Sequence, residues 1–271
     1  MADLAHRKAS KKIQFVGKDG KPLSNQNIQV ELKKHDFLFG CGAFDFVAAV
    51  SIPDEEKKAH FIDRTEKWAK LFNYGTLPFY WGGFEKEEGK PNTENLKKAA
   101  LLLKDFNATV KGHPLCWHTG CAEWLLKYDN KTILEKQLAR IYRDVGEFKG
   151  LIDMWDVINE VVIMPIYDKY DNAITRLCKE HGRIGLCKKV FDAAKDCNPN
   201  GTFLINDFNL STSYEILIDG LLQSGVPINT IGLQSHQHHG VWGIEKLEET
   251  LTRFEHFGLP IHFTENTIVA G

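Results

Sequence analysis

Glu160 and Glu265 lie far apart in the sequence, yet each ends a short apolar run, LIDMWDVINEVV (151–162) for the first and PIHFTE (260–265) for the second. A run of this kind reads as a β-strand buried on both faces, as in parallel sheets covered by helices. Polar side chains at its end then need a reason. In barrels and open sheets of parallel strands, the carboxyl ends are where ligands bind and reactive groups project. The plain alternative is a carboxylate that caps the following helix. Two carboxyls meeting at such an end can flank one glycosidic bond, one donating a proton to the leaving oxygen and the other meeting the developing oxocarbenium ion. Other strand ends are polar too: GHPLCWH (112–118), NDFN (206–209), QSHQHH (234–239) and TEN (264–266).

These residues need a frame to bring them together. From residue 36 onward, strand-like runs alternate with stretches of helical period, the rhythm of repeated βα units in an α/β protein. The strand candidates are DFLFGC, LFNYGTL, ATVKGHPLCW, LIDMWDVIN, TFLIND, INTIGLQ and PIHFTE, which puts Glu160 on the fourth and Glu265 on the seventh. Between them DEEKKAHFIDRTEKWAKL, TENLKKAALLLKDF, KTILEKQLARIYRDV, GLCKKVFDAAKDC, SYEILIDGLLQSG and IEKLEETLTRFEHFG read as helices, several opening after Asn or Ser and closing near Gly. Alternation along the fourth strand puts Met154, Asp156, Ile158 and Glu160 on one face and Trp155, Val157 and Asn159 on the other. Asp156 reads as a buried group below the site, held by hydrogen bonds. Residues 13–33 differ: IQFV and NIQVEL, joined by a Gly and Pro turn, predict an antiparallel β-hairpin flap. The expected organisation is an N-terminal tail and flap over residues 1–35 and a catalytic barrel over 36–271.

WDVINE resembles the acid/base strand of glycoside hydrolase family 10, the xylanase family, and GHPLCWH, NDFN, GLQSHQH and HFTEN are similar to its third, fifth, sixth and seventh strands in order. The resemblance runs from about residue 36 to residue 268. It implies a TIM (β/α)8 barrel, retention of anomeric configuration, and endo cleavage of β-1,4-xylan. By position, Glu160 resembles the general acid/base and Glu265 the nucleophile. Asn159 resembles the residue that hydrogen-bonds the sugar 2-hydroxyl, His113 and Trp117 the sugar-binding positions of the third strand, Gln234 a contact at the reacting sugar, and His236 the partner that orients the nucleophile. Trp81, Trp117 and Trp242 offer flat faces for pyranose stacking, or serve the core instead; Trp81 is placed with the substrate site. An acid at neutral pH requires a dry, aromatic-walled setting that raises the Glu160 pKa, whereas Glu265 must stay ionised. Nucleophilic attack requires carboxyls about 5 to 5.5 Å apart, an inverting pair about 6.5 to 9.5 Å.

The second strand departs from that pattern. Pro78 and Phe79 stand where the family presents a Glu-Asn pair, Trp81 arrives early, and the family's Lys has no counterpart, which implies a reshaped glycone subsite. After the seventh run only NTIVAG follows, so the eighth βα unit is missing, and a further segment or a second chain is expected to complete the barrel. Two other readings compete. A carbohydrate-binding barrel that lost catalysis would explain the altered second strand, and a metal-dependent hydrolase would use the histidines of HQHHG and GHPLCWH, although no strand-end aspartate completes a ligand set.

Bulk properties narrow the field. With 34 Lys and Arg against 36 Asp and Glu, the formal charge of −2 gives no reason to expect a nucleic-acid or membrane partner. MADLAHRKAS has no apolar signal core, and no apolar run approaches the ~20 residues that span a bilayer. Polymeric xylan lies outside cells, so an exported enzyme is expected, its signal removed or replaced by MADLAH. The six cysteines lack C-x-x-C spacing and read as reduced, mostly buried thiols, with Cys178 and Cys187 the pair to check first; no metal or cofactor is expected.

Overall fold

The computed structural model of the protein describes residues 9–33 and 35–268. Its contacts divide the chain into two units, Met1–Phe37 and Leu38–Gly271. In the first, Val16 and Pro22 form a single antiparallel bridge around a tight turn, with the Gly17 N–H donating to the Lys21 carbonyl. The predicted hairpin goes no further. Asn25 takes a left-handed φ of 52°, which turns the chain out of the extended path, and NIQVEL forms no strand among the described residues.

Among the described residues the second unit holds seven strands: β1 (Gly40–Gly42), β2 (Tyr74–Pro78), β3 (Thr109–His113), β4 (Met154–Asn159), β5 (Thr202–Asp207), β6 (Thr230–Leu233) and β7 (Ile261–Phe263). They form one parallel sheet in chain order. This is the order of a (β/α)8 barrel with seven of its eight strands, and among the described residues β1 and β7 are its open edges. The helices are α1 (Phe44–Ser51), α2 (Glu55–Ala69), α3 (Trp81–Phe84), α4 (Thr93–Asp105), α5 (Asn130–Phe148), α6 (Ala173–Cys197), α7 (Thr212–Gln223) and α8 (Ile244–Glu255). Side-chain caps start several of them: Asp54, Asp129 and Asn172 accept from the backbone N–H three residues on. Two helical features escape the periodicity. FDFVAAVS of α1 is apolar nearly all round, and α6 begins well before GLCKKVFDAAKDC, bending at Gly182 with φ 70°.

The core lies between sheet and helices. Trp155 on β4 is fully buried against Phe79 and Phe148, with ring centroids 4.8 and 6.2 Å away. Truncating an aromatic in such a setting to Ala costs about 3 to 5 kcal/mol. Buried Arg140 of α5 fastens the ends of two strands, donating to the carbonyls of Phe79, Pro114 and Leu115 while pairing with Asp144. All six cysteines are free, Cys178 and Cys187 included.

Candidate active site

Strand β4 carries a bulge, and it changes which side chains meet. Its register with β5 slips between Asp156 and Ile158, so the expected alternation fails and Asp156 and Asn159 turn to the same side. The chain then leaves the strand at Glu160 with φ 57°, a left-handed conformation costing about 1 to 3 kcal/mol in a residue with a Cβ. Hydrogen bonds from the neighbouring strand hold it there. The Glu160 N–H donates to the Asn206 carbonyl at 2.8 Å, and the Val162 N–H donates to Asp207 Oδ2 at 3.0 Å. Asp207 is wholly buried, and burial pushes its carboxyl up to about 7 despite the N–H groups it accepts.

The Glu160 carboxyl sits in a wall of rings. Trp117 Nε1 donates to Oε2 at 2.9 Å, Gln234 Nε2 donates to Oε1 at 3.2 Å, and His118 Nε2 lies 3.9 Å from Oε2. Burial raises its pKa; the two hydrogen bonds oppose that rise and the Glu265 charge adds to it. Burial also pushes His118 down to about 4, so its ring is neutral beside Glu160 and does not hold the carboxylate in its charged form.

Glu265 follows β7, its N–H donating to the Gln234 carbonyl at 3.1 Å. Asn206 Nδ2 donates to its Oε1 at 2.7 Å, His236 Nε2 stands 3.5 Å from Oε2, and His113 Nε2 stands 3.8 Å from Oε1. The second ring nitrogen of His236 meets the Thr267 hydroxyl at 3.2 Å. A ladder of amides joins the two carboxyls: Asn159 Oδ1 accepts from Asn206 at 2.8 Å and from Gln234 at 3.1 Å, and those same donors reach Glu265 and Glu160. Asn159 is wholly buried, yet its Nδ2 has no hydrogen-bond partner among the described residues. Gly232 makes room for the ladder, since a Cβ there would stand 2.5 Å from Asn206 Oδ1.

Below the ladder, Asp156 is fully buried as expected; its Oδ2 meets Lys111 Nζ at 2.7 Å and His113 Nδ1 at 2.6 Å. Two cavities open beside the carboxyls. One of about 440 Å³ is lined by Glu160, Gln234, Phe208 and Trp242, and one of about 240 Å³ by Glu265, His113, Lys111 and Tyr80; His236 lines both.

Seven of the eight predicted site residues therefore converge: Glu160, Glu265, Asn159, His113, Trp117, Gln234 and His236. Trp81 does not. It opens α3 at 4% exposure, donates Nε1 to Glu85 Oε2 at 3.1 Å, meets Trp124 edge-on, and lies under the Arg140 guanidinium. Tyr80 takes the place beside the cleft, its ring 5.7 Å from Trp117 and 5.5 Å from His113. Strand alternation from Pro78 is the sequence signal for Tyr80, which shares its face. Lys111 carried a signal as well: a lysine inside an apolar strand, two residues before His113 and so on its face. In the histidine-rich run the rings of His236 and His238 stack 4.7 Å apart, and among the described residues no three His, Cys, Asp or Glu side chains group as metal ligands.

Residues 67–270 match the family described as Glycosyl hydrolase family 10. Endo-1,4-beta-xylanase B of Thermotoga neapolitana is 28% identical over 228 residues, 79% of this chain and 62% of the relative. Beta-1,4-xylanase of Dictyoglomus thermophilum is 30% identical over 168 residues, 58% of this chain and 45% of the relative. The chain thus spans less than two thirds of these relatives. Among solved structures, GH10 from Paenibacillus barcinonensis superposes with a TM-score of 0.69 at 23% identity, covering 86% of this chain and 71% of that one. Xylanase 10B from Thermotoga petrophila, solved in complex with xylobiose, gives 0.66 at 24%, covering 82% and 69%. Identity this low speaks for the fold.

Proposed function

The chain belongs to glycosyl hydrolase family 10, and from that membership we propose that it cleaves internal β-1,4-xylosidic bonds of xylan with retention, by double displacement. The observation that carries this reading is the amide ladder, which fixes Glu160 and Glu265 at opposite ends and leaves the buried Nδ2 of Asn159 as an unused donor between them. A sugar hydroxyl at the reacting ring is the acceptor that donor needs. Glu160, whose protonated form burial favours, gives its proton to the leaving glycosidic oxygen. Glu265 attacks the anomeric carbon and forms a glycosyl ester. Glu160, now a carboxylate, takes a proton from water as that water attacks the ester, which releases the β sugar and restores both groups. The cavity beside Glu265, walled by Tyr80 and His113, would take the glycone, and the larger one beside Glu160, with Trp242, the aglycone. With Pro78 and Phe79 where the family presents its Glu-Asn pair, and Tyr80 beside the cleft, the glycone side is reshaped.

Substitution separates the two roles. Glu160→Ala is expected to abolish cleavage of unactivated xylan, spare glycosylation by aryl xylobiosides with good leaving groups, and yield a β-glycosyl azide when azide is added. Glu265→Ala is expected to lose both substrates. Equal loss in both variants with no azide product would contradict the assignment. Two lesser proposals accompany this one. A further strand, from more of the polypeptide or from a second chain, pairs with the open edges of β1 and β7. The protein also works outside the cell, where polymeric xylan is; no helix among the described residues is long and apolar enough to cross a membrane, and an exported pool in cell fractionation would bear this out.

A further inference from the structure

Glu160 leaves β4 with φ 57°, and a residue with a Cβ keeps that conformation only where its surroundings fix the chain. On one side β5 does this, since the Asn206 carbonyl and the Asp207 carboxyl accept from the N–H groups of Glu160 and Val162 at 2.8 and 3.0 Å. On the other side stands Arg183. Its Nε donates to the Val161 carbonyl at 3.2 Å and to the Val162 carbonyl at 3.0 Å, and its Nη2 donates to the Val162 carbonyl at 2.6 Å. Val161 is wholly buried and Val162 nearly so, and among the described residues no other hydrogen bond reaches either carbonyl. Helix formation gives no reason for an arginine here. α6 is interrupted at Gly182, whose φ of 70° and ψ of 166° belong almost to glycine alone, so Arg183 opens the second helical segment. A Cβ on Gly182 would meet no atom within 4 Å, so the backbone angles and not crowding ask for glycine. A cation in a first helical turn faces the positive end of the helix dipole. Bend and charge are each unfavourable for the helix itself, and together they bring a guanidinium to the turn after Glu160.

We propose that Arg183 is a positioning residue for the acid/base group: by holding the carbonyls of Val161 and Val162 it keeps the Glu160 backbone left-handed and the carboxyl aimed at the leaving glycosidic oxygen. The proposal rests on the reading of Glu160 as the acid. Without the clamp, Glu160 relaxes toward an ordinary negative φ, its Cα–Cβ bond turns, and the carboxyl leaves the Trp117 and Gln234 donors that now hold it. Arg183 lines neither cavity, so its effect on the reaction passes through Glu160 and not through contact with sugar.

The test compares Arg183→Met with the wild type on two substrates and by amide hydrogen exchange in the full chain. On a xylo-oligosaccharide, whose poor leaving group needs the proton, kcat/KM should fall at least about tenfold. On an aryl xylobioside with a good leaving group, kcat/KM reports formation of the glycosyl ester without acid help and should stay within about twofold. In residue-resolved NMR the Glu160 and Val162 amides should exchange at least about tenfold faster, while the amides paired between β4 and β5 keep their rates. Arg183→Lys keeps a cationic donor on a long stem and should restore part of both properties; Arg183→Gln carries the test if Arg183→Met does not fold. A loss of equal size on both substrates, no loss on either, or exchange that quickens evenly across β4 and β5 overturns the proposal. Faster exchange confined to Glu160 and Val162, in a protein whose wild type cleaves no xylan, would uphold the role of Arg183 in holding the turn and sink the function proposed above.

Discussion

Replacing Trp117 by Phe removes one hydrogen bond from Glu160 and should move the alkaline limb of activity upward. The indole Nε1 donates to Glu160 Oε2 at 2.9 Å, a bond that favours the ionised carboxylate and opposes the rise caused by burial. A hydrogen bond to a charged group contributes about 1.5 to 3 kcal/mol. The carboxyl keeps 15% of its exposure and a second donor in Gln234, so the lower end of that range applies. At about 1.4 kcal/mol per pH unit, the proton should be held about one unit further into the alkaline range. The sign follows from the proposed mechanism: with Glu160 as the acid, activity falls as pH rises through its pKa, and a higher pKa delays that fall. The assay is kcat/KM against pH on xylo-oligosaccharides, whose poor leaving group requires the proton. A change in the ring's packing against substrate would alter kcat/KM by the same factor at every pH without moving the limb. A limb that stays in place, or moves down, would show that Trp117 does not set the ionisation of Glu160.

Trp81→Phe should lower stability by about 1 to 3 kcal/mol in urea denaturation, through the lost bond to Glu85, and leave KM unchanged. Tyr80→Ala should instead raise KM about tenfold by removing a ring from the cleft; the reverse pattern would return Trp81 to the substrate site. Hydrogen exchange should be slowest in β4 and β5, which pair on both sides, and fast at the edges β1 and β7; equal protection throughout would mean that a further strand covers those edges within this chain.

The strands were legible because a parallel sheet covered on both faces demands apolar runs, and all seven runs became strands. What periodicity could not supply was phase. The bulge after Asp156 let Asp156 and Asn159 share a side that strict alternation denies them, and the left-handed turn at Glu160 re-aimed the carboxyl again. Trp81 is a different case: alternation runs unbroken, with Thr76, Pro78 and Tyr80 lining the cavity beside Glu265 and Leu77, Phe79 and Trp81 buried in the core, so the phase there was legible. The hairpin shows the opposite failure: IQFV and NIQVEL look like strands by composition, but Asn25 breaks the extended path between them. The ladder itself, in which two amides tie the carboxyls through Asn159, depends on contacts between β4, β5 and the end of β6, and no local pattern encodes it.

In the proposed mechanism Glu265 forms a covalent bond with the sugar, and trapping that bond is the most direct test. An aryl 2-deoxy-2-fluoro-xylobioside slows both steps by destabilising the oxocarbenium-like transition states, while its good leaving group keeps formation of the glycosyl ester faster than its hydrolysis. Mass spectrometry of the inactivated protein should show one added fluoroglycosyl unit, and peptide mapping should place it on Glu265. Turnover of xylo-oligosaccharides with no label from the fluorosugar, or a label on any other residue, would contradict the double-displacement account.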